Sequence, residues 1–143
     1  MLLNGMKQED KELLLKDLCA RIPYKVKIEV TYSKESGSSL RTRLCSEGIN
    51  TLDTNILGLL QQSEVYIKPY LFPLSSMTEE QKREYNRWKH EVPVCRYEYG
   101  DIVEEVELFD SPESFEYLIE NHFDYRGLIE KGLAINATKL NIY

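Results

Sequence analysis

The stretch Tyr24-Lys25-Val26-Lys27-Ile28-Glu29-Val30-Thr31-Tyr32 decides the fold. Tyr24, Val26, Ile28, Val30 and Tyr32 fall on one side of an extended chain, and Lys25, Lys27, Glu29 and Thr31 on the other. A strict period of two in β-branched and aromatic residues predicts a strand with one buried and one wet face. Downstream, Ser33 to Ser39 (SKESGSS) predicts a turn-rich loop. Leu40, Thr42 and Leu44 then alternate with Arg41 and Arg43, which predicts a second strand pairing back on the first. The wet face of that hairpin would carry Lys25, Lys27, Arg41 and Arg43, diluted by Glu29. Upstream, Met6, Leu14, Leu15, Leu18 and Ile22 fall near helical spacing. A helix from about Met6 to Arg21 is expected, with Lys, Glu and Asp on its other side and Pro23 ending it.

Further along, Ile49 to Leu60 fits a short helix or a buried strand equally, because periodicity does not separate the two over so few residues. Glu64 to Tyr70 (EVYIKPY) predicts a third strand, with Pro69 placing it at an edge or at its end. Thr78 and Gln81 have capping-box spacing. Glu79 and Glu80 in the first turn, with Arg87 and Lys89 near the end, suit the dipole of a helix whose apolar residues are Tyr85 and Trp88. Val92 to Tyr99, the pair Gly100-Asp101 and Ile102 to Phe109 predict a second hairpin. Ser111-Pro112 is a helix start, and Phe115, Leu118, Ile119 and His122 continue it at packed-helix spacing. Asp124 to Tyr143 reads as a short helix or turn around Leu128 and Ile129, broken by Gly127 and Gly132, with Leu140, Ile142 and Tyr143 docked. These elements predict one α+β domain over residues 1–143. Its small antiparallel sheet would be strongly bent or partly barrel-like, packed with three to four helices.

Charge is uneven. The net charge is −6, yet residues 1–100 carry 15 Lys/Arg against 14 Asp/Glu, and residues 101–143 carry 3 against 10. Asp101, Glu104, Glu105, Glu107, Asp110, Glu113, Glu116 and Glu120 follow one another without a base. Such a chain matches nucleic acid poorly as a whole, so only a local basic face could bind it. The acidic segment and the basic hairpin face are expected to neutralise one another within the molecule. Hydrophobic residues at 42% and charged residues at 29% are ordinary globular values. No apolar run approaches the ~20 residues of a membrane span, and Met1 to Gly5 lacks the pattern of a secretory signal. Cys19, Cys45 and Cys95 are odd in number and widely spaced, which suits free thiols in a reducing cytoplasm.

Lys68 to Gln81 (KPYLFPLSSMTEEQ), Asp124 to Tyr143 (DYRGLIEKGLAINATKLNIY) and Arg21 to Val30 (RIPYKVKIEV) are similar to stretches of a family of small proteins encoded by gut Bacteroidetes and by their phages and prophages. Together they cover about a third of the chain. Lys25 stands where that family often carries a glycine, a departure that removes the residue best suited to a tight turn. The resemblance implies a cytosolic protein of a bacterium or phage, an accessory of a mobile element. It carries over no activity, cofactor or catalytic residue.

The candidate chemistry is sparse. His122 with Asp124 could form an oriented imidazole, but His122 on an apolar stripe reads more simply as a residue at the core's edge. His90, Cys95 and His122 lack the closely spaced pairs of a structural zinc site. Asp53-Thr54-Asn55 echoes a calcium loop without its glycine and terminal glutamate, and reads as a turn or helix cap. Arg126, in Asp124-Tyr125-Arg126-Gly127, could make a bidentate recognition contact, or could pair with the acidic helix 113–120 while Gly127 takes a positive φ. Lys82, Arg83, Arg87, Lys89 and Arg96 interleave with Tyr85, Trp88, Tyr97 and Tyr99, a mixture suited to stacking bases and holding phosphates, though Glu84, Glu91 and Glu98 interrupt it.

No catalytic set, metal site or cofactor is expected. The function that fits best is a non-enzymatic interaction protein that binds a host or phage protein. Lys25, Lys27, Arg41, Arg43, Trp88 and Arg126 are its candidate binding residues. The alternative is a nucleic-acid-associated module using the basic sheet face.

Overall fold

The computed structural model describes residues 7–36, 41–59 and 65–143, with 32–36, 41–47 and 59 described as backbone only. Helix α1 spans Gln8–Arg21 and passes into a 3-10 turn, Ile22–Tyr24. Pro23 at the start of that turn ends the α-helix, as its ring and missing N–H require. Strand β1 (Lys27–Ser36) pairs antiparallel with β2 (Arg41–Thr51), α2 is Thr54–Leu59, and β3 (Val65–Pro73) lies antiparallel on the other side of β1. Helix α3 (Glu79–Arg87), the hairpin β4 (His90–Glu98) and β5 (Asp101–Phe109), and helix α4 (Pro112–Glu120) follow. Two-residue strands β6 (Phe123–Asp124) and β7 (Ile135–Asn136) complete the order.

The main sheet runs β2-β1-β3-β6, with β7 also pairing with β3. Its long strands are antiparallel and its two short bridges parallel. This is the expected α+β class with four helices among the described residues, but the sheet does not close into a barrel. Closure needs the last strand to return to the first, and here the outer partners of β3 are bridges of only two residues.

Val26, Ile28 and Val30 are buried, as the alternation requires. They meet Leu14 and Leu18 of α1, Ile67 and Leu71 of β3, and Leu128 and Leu133 of the C-terminal turns. A second apolar cluster, Met77, Leu118 and Phe123, joins α3 and α4 to the end of β3 through Phe72, Tyr85 and Tyr117. Between the clusters lies a polar pair. Asp17 and Arg21, one turn apart on α1, are wholly buried, with Arg21 Nε donating to Asp17 Oδ2 at 2.7 Å and Arg21 Nη2 to the Phe123 carbonyl at 2.7 Å. Leu14, Asp17, Leu18 and Arg21 fall at i, i+3, i+4 and i+7, so this charged pair sits on the apolar side of α1 rather than on the side expected to face solvent.

Four expectations about strands change. Ser33 to Ser36, expected in the loop, continue β1 opposite Leu44 to Arg41, and the rest of that loop lies outside the described residues. The strand begins at Lys27, not Tyr24. Tyr24 belongs to the 3-10 turn, and Lys25 makes the tight left-handed turn (φ 56°) even without a glycine. β2 gains one residue between its pairings with Glu29 and Thr31, at a bulge where Gly48 takes φ 81°. Beyond it Arg43 registers with Lys34 and Arg41 with Ser36, in phase with Ile28 and Val30 and out of phase with Lys27. A one-residue slip exchanges faces, so Lys27, Arg41 and Arg43 do not share one. Pro69 is not at the strand's end, because β3 runs on to Pro73, but among the described residues only β1 pairs with β3 over Val65–Pro69, so that stretch keeps one open side as expected of an edge. Pro69 is buried within β3, where pairing passes from β1 (Ile28 with Pro69) to β7 (Tyr70 with Ile135). A residue without an N–H is tolerated at that handover.

Candidate interaction surface

α3 and α4 form the root of the β4–β5 hairpin. Both helices start on full capping boxes, Thr78 with Gln81 and Ser111 with Ser114. The Ser111 hydroxyl also donates to the Trp88 carbonyl, and the Tyr85 hydroxyl donates to the Asp110 carboxylate. Burial first, and then that carboxylate, push the Tyr85 phenol far above its ordinary range, so it stays a donor. The two legs of the hairpin are thereby tied to both helices.

From this root the hairpin projects freely. Tyr99 (φ 53°) and Gly100 (φ 85°) are the two residues of a type I′ turn, and each strand has nine residues, a reach of about 30 Å. The expected hairpin is present, with its turn one residue earlier than read. Almost every residue is exposed on both faces. Directly opposed residues share a face, so one face holds Pro93, Cys95, Tyr97, Ile102, Val106 and Leu108 together with Glu91 and Glu104. On it Tyr97 is 81% exposed, Ile102 61% and Val106 62%. The other face carries Arg96, which pairs with Glu105 and Glu98. From His90 to Phe109 six carboxylates stand against that one arginine, a balance of −5.

At the hairpin's root a cleft of about 230 Å³ is lined by Trp88, Glu113, Glu116, Tyr117 and Glu120. Trp88, the C-cap of α3, is 47% exposed and walls this cleft, so it is neither fully buried nor free of packing. Glu116 accepts from the Tyr24 hydroxyl at 2.6 Å. Burial, then Glu84 and Glu80, raise the Tyr117 phenol. An aromatic wall among carboxylates favours a cationic group.

The other residues singled out in the sequence disperse. Lys25 is exposed in its turn, and Lys27 Nζ donates to Thr51 Oγ1 at 2.8 Å. The side chains of Arg41 and Arg43 lie outside the described part. Arg126 Nε stands 3.3 Å from Asp17 on α1 rather than on the acidic helix α4, and its Nη2 donates to the Tyr125 hydroxyl at 2.7 Å. Gly127 does take a positive φ. Among the described residues no ion pair links the acidic segment 101–120 to Lys25 or Lys27. The basic–aromatic mixture is largely engaged: Lys82 pairs with Glu79, Arg87 with Glu84, and Lys89 sits 4.3 Å over the Tyr85 ring.

His122 is not on the helix. It follows the cap Asn121 at φ 63°, and its ring stacks on Tyr143 at 3.9 Å. Burial first, then Arg21 and Lys27, push its pKa down to about 4, and its buried Nδ1 has no hydrogen-bond partner. Asp124 instead accepts from the Leu128 and Ile129 N–H groups at 3.0 and 2.9 Å, so the two form no acid–base pair. The Tyr143 hydroxyl accepts from Lys27 N and donates to the Tyr70 carbonyl, docking the last residue. Asp53 caps α2 through the Ile56 N–H. Among the described residues no group of three His, Cys, Asp or Glu is placed to hold a metal, and no helix is long and apolar enough to cross a membrane.

Sequence reading missed the apolar hairpin face because each strand, read alone, resembles any half-buried strand. The readable signal was the even spacing of Ile102, Glu104, Val106 and Leu108 beside a strand interrupted by Pro93. Comparison with family models, with curated proteins and with solved structures finds no match.

Proposed function

We propose that this protein is a non-enzymatic interaction module that binds another protein through the β4–β5 hairpin. One observation carries the reading: a two-stranded arm exposes a run of apolar residues that nothing among the described residues covers. An isolated hairpin is marginal in water, and exposed contiguous apolar surface marks interaction sites. The resemblance to proteins of gut Bacteroidetes and their phages suits a bacterial cytoplasm and an accessory of a mobile element, acting on a host or phage protein. The nucleic-acid alternative is weaker, because Lys82, Arg87, Lys89 and Arg96 already have partners and the arm is acidic.

The test compares the tagged protein with an Ile102→Ser/Val106→Ser variant in lysate of the source cells. The variant should melt like the parent and lose a discrete protein that the parent retains. Equal capture by both, or capture by neither, overturns the reading.

A further inference from the structure

We infer that the partner contributes an extended, basic segment that adds as a third strand to the free edge of β5; this rests on the hairpin being the interaction arm. The two edges of the arm are not equivalent. In a two-residue type I′ hairpin the residues flanking the turn, Glu98 and Asp101, exchange both backbone hydrogen bonds, and the pattern alternates from there. The pairs Tyr97–Ile102, Cys95–Glu104, Pro93–Val106 and Glu91–Leu108 therefore turn their N–H and C=O groups outward. On β4 that outward row is broken by Pro93, which has no N–H to offer. On β5 the groups of Ile102, Glu104, Val106 and Leu108 are all available, and no proline, lysine or bulge blunts the edge.

Charge selects the occupant. Glu104, Glu105 and Glu107 lie along β5, and the arm's single arginine is held by Glu105 and Glu98. A second copy of β5 is disfavoured. Every antiparallel register overlapping seven or more residues sets one of these glutamates directly opposite another. Nucleic acid is repelled outright. An added strand instead places its residues opposite Leu108, Glu107, Val106, Glu105, Glu104, Val103 and Ile102 in turn. Its best pattern is apolar, basic, apolar, basic, basic, apolar, apolar, with specificity from side chains and affinity from the main chain. The acidic cleft beside Trp88, at the arm's root, extends the same preference for cations.

The probe is the peptide VKVKKVV, acetylated and amidated, titrated against the whole protein at neutral pH. Binding should slow amide exchange at Ile102, Glu104, Val106 and Leu108 by roughly tenfold or more. It should weaken with salt and fall roughly tenfold for Glu104→Lys/Glu105→Lys. A peptide N-methylated at alternate residues, with the same charge, should bind roughly tenfold more weakly. Val106→Pro, which removes one outward N–H opposite the proline already present, should do likewise. The charge variant keeps the test decisive if the proline variant disturbs the arm. Equal binding of the N-methylated peptide, protection elsewhere in the protein, or a dimer with β5 protected before peptide is added would each overturn the proposal. If the peptide fails while the lysate partner still depends on Ile102 and Val106, strand addition is wrong and the interaction arm stands. Failure of both removes the arm itself.

Discussion

The β1–β2 and β4–β5 hairpins begin from the same pattern and reach opposite ends. In the first, Val26, Ile28 and Val30 alternate with polar residues, and the apolar side disappears beneath α1 and the C-terminal turns. In the second, Ile102, Val106 and Leu108 recur at the same period and stay in water. Alternation says that a strand has two unlike faces; it does not say that anything arrives to cover one. Cover is supplied by other elements, and the arm leaves the body at His90 and returns at Phe109 with only its root pinned. A strand in the body is committed to folding, whereas a strand in the arm is available to a partner.

That contrast can be broken most severely at Asp17. Asp17→Asn strands Arg21 and Arg126 without their carboxylate and should destabilise the body by about 3–5 kcal/mol in a denaturant melt. Reversing an arm charge such as Glu104 should change it by less than about 0.5 kcal/mol. If the two cost alike, body and arm are not energetically distinct. Next comes Leu18→Ala, expected to cost about 3 kcal/mol by opening a cavity. Ile102→Ser should leave the same midpoint nearly unmoved.

Acid offers a smaller test. His122 is held neutral in the fold down to about pH 4, whereas an unfolded histidine takes up its proton near 6.5. Stability should therefore fall as pH drops from about 6.5 to 4 and level off below. After discounting for the ring's partial exposure the loss is about 1–2 kcal/mol. His122→Asn, which tolerates the positive φ, should flatten that part of the curve. Amide exchange in the arm should not follow the same profile. The smallest pair concerns turns. Lys25→Gly should raise global stability by about 0.5–1 kcal/mol by relieving a left-handed lysine. Tyr99→Asn should slow amide exchange within the arm by a comparable free energy while leaving the melting midpoint in place.

Local chemistry was legible where one element decides its own fate. The capping box at Thr78, the helix start at Ser111-Pro112, the stop at Pro23 and the buried side of β1 were all readable from a few neighbouring residues. The bulge at Gly48 was not, because a single glycine reveals no extra residue until its partner strand is aligned. Pro69 misled only as a strand end, for a related reason: a strand that changes partners halfway has no sequence mark of its own. The burial of Asp17 and Arg21 could not be read from the helix, because their contacts come from the turn at Phe123 and Arg126, more than a hundred residues away. The candidate site split along the same line. Lys27, Arg41 and Arg43 depended on a register, and Arg126 on a distant carboxylate, whereas Trp88 was found at the surface near where its polar helix suggested.

The pinned root gives the arm a freedom of length that no other described strand has. Deleting one opposed pair, one residue from each strand, would shorten the arm by about 3.4 Å and leave α3, α4 and both apolar clusters untouched. It would also exchange the faces of everything beyond the deletion, turning Tyr97 and Ile102 toward the opposite side. Deleting two pairs restores their orientation at a reach about 7 Å shorter. Related chains that keep this mode of presentation should therefore differ in arm length by even numbers of opposed pairs, while the body they spring from stays constant in length.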